Sequence, residues 1–178
     1  MLIIIAGAIF VFIVLLFVVG SFLPERYEAR VTLQLASPPE KVWAAISDYE
    51  THPMTGAQRQ STQKQPEEGG LPVWVEDLGA TKVTVRTLSA TAPTHMKLNM
   101  TDSVVHINVD CEFRIEPANG GSRVTATSQT TVPSGTWRAP LFRVTLKMGG
   151  GKKGFRDYWS SVAKTLGETQ FEKYVHEF

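Results

Sequence analysis

The sequence predicts an α+β protein, in which one transmembrane helix precedes a curved antiparallel sheet of about seven strands wrapped on a long C-terminal helix. Three observations lead to this prediction. Residues 2–23 are an unbroken apolar run, residues 58–132 form successive strand-like segments, and residues 153–174 repeat apolar side chains at helical spacing. Antiparallel pairing follows because parallel crossovers need a dozen or more residues between strands.

Length and composition limit the possible classes of protein. The chain has 178 residues, a formal net charge of +1, 20% charged and 43% hydrophobic residues. This balance is typical of a folded protein and gives no reason to expect a nucleic-acid partner. After the apolar run, roughly 155 residues remain, which suits one domain over residues 24–178. Cys111 is the only cysteine, so an intramolecular disulfide is impossible.

The apolar run is interpreted as an uncleaved membrane anchor over residues 1–23. It contains no ionisable side chain before Glu25, and about 22 helical residues span roughly 33 Å, close to the hydrocarbon core of a bilayer. A cleaved signal peptide is the alternative, because Val18 and Gly20 are small enough for a peptidase site. The absence of Lys or Arg in front of the run and its length favour the anchor.

The orientation follows from the basic residues next to the span. Arg26, Arg30 and Lys41 follow it and none precedes it. The positive-inside rule therefore favours a cytoplasmic domain on a bacterial cytoplasmic membrane, although Glu25 and Glu28 lie among those charges.

A strand and a short helix are predicted next. Residues 27–36 alternate, which is typical of a half-buried strand. Ser37 is then the expected N-cap, with Glu40 three residues later as in a capping box and Pro38 or Pro39 in the first turn. The apolar stripe of this helix consists of Val42, Trp43 and Ile46.

Further strands follow. A polar edge strand with a loop is expected over residues 58–70, then strands at 72–77, 82–92, 95–101, 105–116 and 122–132. Asn119-Gly120-Gly121 indicates a hairpin turn between the last two.

The C-terminal segment changes to a helical period. A first piece over residues 141–147 is separated by the glycines at 149–151 from a long amphipathic helix. The apolar face of that helix contains Phe155, Tyr158, Trp159, Val162, Ala163, Leu166, Phe171 and Tyr174. A long helix across a concave sheet leaves space between the two, lined by strand residues and helix aromatics.

Two segments carry a resemblance to a known family. The segments SPPEKVWAAISDYETHP and APLFRVTLKMGGGKKGFRDYWSSVAKTLGE resemble the START-like (SRPBCC) superfamily, often labelled polyketide cyclase/dehydrase, and in particular its bacterial members with an N-terminal anchor. The resemblance covers roughly residues 24–173 and implies the helix-grip fold of the major birch pollen allergen. One departure is Met54-Thr55-Gly56, where such proteins commonly carry a large residue after the proline, so the pocket mouth is expected to differ.

The candidate site residues fall into two groups. The expected wall of an apolar ligand pocket consists of Trp43, Met96, Leu98, Val109, Cys111, Phe113, Phe155, Tyr158 and Trp159. The expected polar mouth consists of Asp48, Tyr49 and His52, where His52 is either a general base or simply a helix-terminal residue.

Other constellations are weaker. His95, His106, Asp110 and Glu112 occupy the polar face of the sheet, where solvated side chains belong, so no metal is predicted. Cys111 on an apolar face is interpreted as a small hydrophobe. A basic cluster either meets anionic lipid headgroups or is a solvated helix face; it comprises Arg138, Arg143, Lys147, Lys152, Lys153 and Arg156.

Three functional hypotheses remain. The first is a membrane-anchored, non-catalytic binding domain for a lipid or another apolar small molecule, without a cofactor. The second is an enzyme of cyclase or dehydratase type acting on such a ligand, with His52 and Asp48 as acid and base. The third is an interaction domain with a filled core. The first is favoured because the apolar strand faces carry almost no titratable group.

Overall fold

A computed structural model describes residues 2–55, 59–118, 120–168 and 173–176, with side chains described only between residues 4 and 168. The helices and strands follow the order expected for an α+β protein, with six consecutive strands between α2 and α3. Along the chain they are α1 (Leu2–Phe22), β1 (Arg26–Leu35), α2 (Pro39–Ser47), β2 (Ser61–Glu68), β3 (Leu71–Asp77), β4 (Lys82–Thr91), β5 (His95–Asp102), β6 (Asn108–Ala118), β7 (Gly121–Thr131), α3 (Ala139–Lys147), α4 (Gly150–Thr165) and β8 (Lys173–His176).

The strands form one antiparallel, curved sheet in the order β2-β3-β4-β5-β6-β7-β1-β8. Seven of them are long, and β8 adds four residues beside β1. Neighbours in sequence are neighbours in the sheet from β2 to β7, and β1 pairs with β7. This arrangement confirms the predicted fold class, a helix-grip sheet with a long helix near the C-terminus.

The core lies between the concave face of the sheet and α4. Alternate residues of β6, namely Cys111, Phe113 and Ile115, are buried because successive side chains of a strand point to opposite faces. The ring of Phe113 meets that of Trp159 on α4 edge-to-face, with centroids 5.2 Å apart. Such aromatic pairs add about 0.5–1.5 kcal/mol to the burial of their area.

The apolar helix α1 is joined to the domain by side-chain contacts. Phe17 stacks on Trp137 with ring centroids 6.2 Å apart, and Gly20 lies against the backbone of Pro140 at the start of α3. Just after α1, Glu25 accepts a hydrogen bond of 2.8 Å from the guanidinium of Arg143. Most of α1 is otherwise exposed, and among the described residues it is the one helix long and apolar enough to cross a membrane, either as an anchor or as a signal sequence.

The start of β6 differs from the prediction. The alternating pattern was expected to begin a strand at Val105, whereas β6 begins at Asn108. The Asp102 carboxylate accepts hydrogen bonds from the backbone of Val104 and Val105, at 2.9 and 2.6 Å. His106 has φ of 58°. The backbone of this segment therefore turns, and alternation in the sequence continued through residues that are not in the strand.

The predicted capping box at Ser37 is wrong. The N-cap residue of α2 is Pro38, and no side chain caps the helix. The Ser37 hydroxyl instead donates to Glu168 Oε1 at 2.9 Å, and the Ser37 backbone N–H donates to the same oxygen at 2.8 Å. A partner 131 residues away cannot be inferred from a local pattern. The expected Pro39 in the first turn is present.

The C-terminal helix is shorter than predicted. It ends at Thr165, and Tyr174 belongs to β8; Phe171 lies outside the described residues. Gly167 adopts φ of 75°, its N–H donates to Lys164 O, and the N–H of Glu168 donates to Ala163 O. This is the Schellman arrangement that ends helices at a glycine. Gly167 was therefore the sequence signal for the stop.

The predicted edge strand is present. The polar strand β2 pairs only with β3 in the sheet order, and Gly69 and Gly70 form the turn between them with φ of 61° and 77°. Gln58, the expected first residue of that strand, lies outside the described residues. Asn119 of the predicted hairpin turn also lies outside them, whereas Gly120 next to it has φ of 80°.

Candidate functional site

An apolar cavity of about 300 Å³ lies between the concave sheet face and helices α3 and α4. Its size is at the lower end of the range typical of small-molecule sites. The strands contribute side chains from alternate positions and the helices close it from above. Its walls are formed by Met54, Met100, Ile107, Val109, Cys111, Ser128, Thr130, Phe142, Thr145, Leu146, Gly150, Gly151, Gly154, Phe155 and Tyr158.

The glycines of α4 create part of this space. Gly154 is exposed and lines this cavity, and a Cβ added there would meet no atom within 4 Å, so the missing side chain leaves the cavity open to solvent at this point. At Gly149, between α3 and α4, φ is 91°, a left-handed conformation that glycine adopts at little cost. This turn brings α4 back across the sheet.

A second, more polar cavity of about 760 Å³ adjoins the first. Both are lined by Gly150, Gly154 and Tyr158, and the second extends between α4 and the segment after α2. Its remaining walls are Thr51, His52, Pro53, Thr55, Arg59, Lys153, Asp157 and Ser161. The two cavities therefore meet at the Tyr158 side chain.

Two buried polar side chains on these cavities have no hydrogen-bond partner within the described part of the chain. The imidazole of His52, only 3% exposed, has both ring nitrogens unpaired, and the Tyr158 hydroxyl is also unpaired. Burial raises the pKa of Tyr158 well above its ordinary value, and nearby ionisable groups add a smaller effect in the same direction. The phenol therefore stays protonated. An unpaired buried polar group costs about 1–3 kcal/mol, a penalty that a bound polar group can remove.

The Cys111 thiol faces the apolar cavity but has no nucleophilic character. Burial is the main cause that raises its pKa to about 12, and the charge of Asp110 adds to the effect. Since the thiolate is the nucleophile, the thiol is inert near neutral pH. Cys111 therefore acts as part of an apolar wall.

Of the residues of the expected pocket mouth, His52 lines the polar cavity, and Asp48 and Tyr49 line neither of these two cavities. Asp48 is exposed and accepts a hydrogen bond of 3.1 Å from the backbone N–H of Thr51. Hydrogen bonds from Thr51 hold the pKa of Asp48 below its ordinary value. Tyr49 is buried, and burial raises its pKa to about 12. Its hydroxyl lies 3.4 Å from Thr87 Oγ1.

The residues expected on the pocket wall also divide into two sets. Four of them line the apolar cavity: Val109, Cys111, Phe155 and Tyr158. Four others belong to the hydrophobic core: Met96, Leu98, Phe113 and Trp159. The remaining one, Trp43, is partly buried and packs against that core. Periodicity identifies which strand residues face inward. It cannot distinguish the inward residues that pack in the core from those that line the apolar cavity.

Sequence reasoning missed the contribution of α3 to the apolar cavity, whereas it had assigned the segment after α2 to the pocket mouth. Phe142, Leu146 and Met54 line the apolar cavity. The amphipathic pattern of residues 141–147 predicted a helix, but it did not show which face of that helix lies against the sheet.

Glu76 was also missed. It is fully buried and accepts hydrogen bonds from the backbone N–H groups of Met54 and Thr55, at 2.8 and 2.9 Å, and from the Thr55 hydroxyl.

The charged constellations behave differently from one another. His95 Nε2 lies 2.8 Å from Glu112 Oε1 on the outer face, and no group of three or more metal-binding side chains exists among the residues described. Arg143, assigned from the sequence to the basic cluster, is 4% exposed. Its guanidinium donates to Val132 O and to Ser134 Oγ, at 2.9 and 2.8 Å. Its inclusion in a solvated or lipid-facing cluster was therefore wrong.

Comparison with known proteins places this geometry in context. A family model described as "Polyketide cyclase / dehydrase and lipid transport" matches residues 26–166. A search among curated proteins gave no match. Solved structures match the fold at low identity.

Three of these structures illustrate the match. A conserved protein from Geobacillus kaustophilus has a TM-score of 0.62 and 15% identity, covering 83% of this chain and 99% of the other. A Chromobacterium violaceum protein gives 0.58 and 14%, covering 81% and 99%. The Zhui aromatase/cyclase from Streptomyces sp. R1128 gives 0.54 and 13%, covering 79% and 94%. At these identities the likeness concerns the fold.

Proposed function

Because the chain belongs to the polyketide cyclase/dehydrase and lipid transport family, we propose that residues 24–178 bind a lipid or another hydrophobic small molecule and that residues 1–23 anchor this domain to a membrane. The observation that carries the proposal is the apolar cavity between the sheet and helices α3 and α4. A cavity lined mainly by carbon, with a few polar groups at one end, is typical of a ligand site.

The chemistry of the two adjoining cavities supports an amphipathic ligand. Its apolar body would occupy the space beside Val109, Cys111 and Phe155, and its polar group would lie toward His52 and Tyr158. The unpaired imidazole nitrogens and phenol hydroxyl offer hydrogen bonds to a hydroxyl, carbonyl or carboxylate. The volume of the apolar part favours a short chain or a small ring system.

The exposure of α1 supports the anchor. Large apolar side chains such as Ile4, Phe10 and Phe22 are more than two-thirds exposed, and a surface of this kind needs a bilayer to cover it. Cleavage as a signal sequence is the other outcome for such a helix. The basic residues after α1 favour a domain on the cytoplasmic side of a bacterial membrane.

Filling the cavity tests the binding function. The full chain in mild detergent is titrated with 1-anilinonaphthalene-8-sulfonate, a small amphipathic ring dye, and native mass spectrometry records any lipophile that co-purifies. Gly154→Phe places a ring where a Cβ meets open space, so we expect at least a tenfold loss of probe affinity with the fold retained. Gly135→Phe is the matched control, since Gly135 also has open space around it and lies on neither cavity.

The outcomes separate ligand binding from a ligand-free interaction domain. Equal probe affinity in Gly154→Phe and the unmodified chain, with no co-purified species, would contradict ligand binding and favour an interaction domain with a filled core. Dye emission that is lost in Gly154→Phe and kept in Gly135→Phe supports the cavity as the ligand site.

A second candidate function is catalysis of a dehydration, because His52 is unpaired beside Tyr158 on one cavity. The imidazole would remove a proton next to a carbonyl and return it to the departing hydroxyl, to which the phenol donates a hydrogen bond, and water would leave as the double bond forms. Mass spectrometry of a linear β-hydroxy-ketone incubated with the chain detects loss of one water. Abolition of this water loss by His52→Asn and by Tyr158→Phe would support catalysis. If the unmodified chain shows no turnover and both variants weaken probe binding, the native His52 and Tyr158 side chains instead bind the polar group of the ligand.

A further inference from the structure

The contact between α1 and the segment that leads into α3 places a second element level with the last turns of α1. Phe17 and Trp137 stack at 17° with their ring centroids 6.2 Å apart. Phe17 lies five residues before Phe22, the last residue of α1, which is about 7–8 Å along the helix axis. Trp137 is therefore level with a point inside α1 and not with its end.

The position of Trp137 beside α1 determines which part of a bilayer it would meet. This step rests on the proposed function, because it requires α1 to span a bilayer. A side chain level with Phe17 then lies about 7–8 Å inside the end of the span, on the acyl-chain side of the boundary with the headgroups. Tryptophan is enriched at that boundary, since its ring is apolar and its indole N–H is polar. Trp137 is 69% exposed, so the protein leaves the indole uncovered for a lipid.

The charges around Trp137 suit an anionic leaflet. The Arg138 guanidinium carbon lies 5.2 Å from the Trp137 ring centroid, a cation–π geometry that keeps a positive charge beside the indole. The sequence from Trp137 to Arg156 contains six Lys and Arg residues and no Asp or Glu. Arg143 is buried and Lys153 pairs with Asp157, whereas Arg138 and Lys147 are exposed and can meet anionic lipid headgroups.

Helix α3 also has uncovered apolar side chains next to the cavity wall. Met148, just after α3, is 82% exposed and Phe142 is 39% exposed. Phe142 and Leu146 line the apolar cavity, while Pro140 in the first turn touches Gly20 of α1. The same short helix therefore contacts the candidate membrane span and closes the cavity.

We propose that residues 137–148 are a second membrane-contacting element, which docks on an anionic bilayer surface beside α1 through Trp137, Arg138 and Met148. In this position α3 separates the apolar cavity from the lipid, so a lipophilic ligand exchanges between bilayer and cavity past α3 without crossing water. The occupant of this surface is the lipid bilayer itself.

Depth-dependent fluorescence quenching tests the docking. The full chain is reconstituted in vesicles of phosphatidylcholine with a minority of phosphatidylglycerol, and part of the lipid is brominated near the headgroup end of its acyl chains. Bromine quenches tryptophan emission at short range. We expect Trp137→Phe to lose most of the quenching seen in the unmodified chain, and Trp43→Phe to keep it, because Trp43 packs against the hydrophobic core.

A charge variant and an alkaline wash of the vesicles complete the test. Arg138→Gln combined with Lys147→Gln should reduce the quenching toward that in vesicles of phosphatidylcholine alone. Equal quenching in the Trp137→Phe variant and the unmodified chain, in vesicles that retain the protein after alkaline washing, would overturn the docking while leaving the anchor intact. Loss of the protein from vesicles on alkaline washing would instead overturn the anchor on which the inference rests.

Discussion

Gly20 in the apolar helix lies against the backbone of Pro140 so closely that a Cβ at this position would overlap the Pro140 carbonyl. Small residues permit such close approach where helices meet in a membrane. The contact fixes α1 relative to α3, and through α3 relative to the cavity.

Replacing Gly20 by Ala should therefore separate α1 from α3. Overpacking a close contact costs about 1–3 kcal/mol, and the α3 backbone cannot move freely because the Arg143 side chain bonds to the Val132 carbonyl, just after β7. We expect faster tryptic cleavage after Arg138 in detergent. Gly7→Ala is the matched control, since a Cβ at Gly7 meets nothing within 4 Å; identical cleavage rates for the two variants would refute the role of this contact.

Glu76→Ala should destabilise the domain strongly. The Glu76 carboxylate is fully buried and accepts the N–H groups of Met54 and Thr55, and each unsatisfied buried group costs about 1–3 kcal/mol. We expect a loss of about 3 kcal/mol in the free energy of unfolding by urea. Glu68→Ala should change it by less than about 1 kcal/mol, because Glu68 is exposed and its ion pair with Arg86 lies on the surface. Similar losses in both would contradict this assignment.

Acidification should weaken the junction between α1 and β1. Hydrogen bonding from Ser134, with the Arg143 charge adding to it, holds the pKa of Glu25 below its ordinary value of 4.5. A group whose pKa is lower in the folded state contributes stability above its unfolded pKa and loses it as the pH falls through the folded pKa. The melting temperature should therefore decrease as the pH is lowered below 4.5. This decrease should be smaller in Glu25→Gln than in the unmodified chain. Glu40→Gln, on exposed surface of α2, should keep the full acid dependence.

The Cys111 thiol should resist alkylation until the domain unfolds. Burial raises its pKa to about 12, whereas an unfolded cysteine near its reference pKa of about 8.5 reacts readily at pH 8. Iodoacetamide labelling followed by mass spectrometry should be slow in native conditions and at least a hundredfold faster in urea. Rapid native labelling would mean that the thiol is accessible from solvent.

Patterns of short range in the sequence determined much of this protein. Apolar length identified α1, alternation located the strands, and helical spacing found α3 and α4, because each depends on which face of one element avoids water. The same logic identified Val109, Cys111, Phe155 and Tyr158 as inward-facing, and all four line the cavity.

Only the tertiary structure decided which of the inward residues leave space and which fill it. Glu168 bonding to Ser37, Glu76 holding the segment after α2, and Arg143 buried beside Glu25 each join residues far apart in the chain. The position of α1 against Pro140 is of the same kind. A periodic pattern reports the face of a single element, whereas a cavity and its relation to a membrane depend on the distance and angle between elements, which arise when all of them pack together.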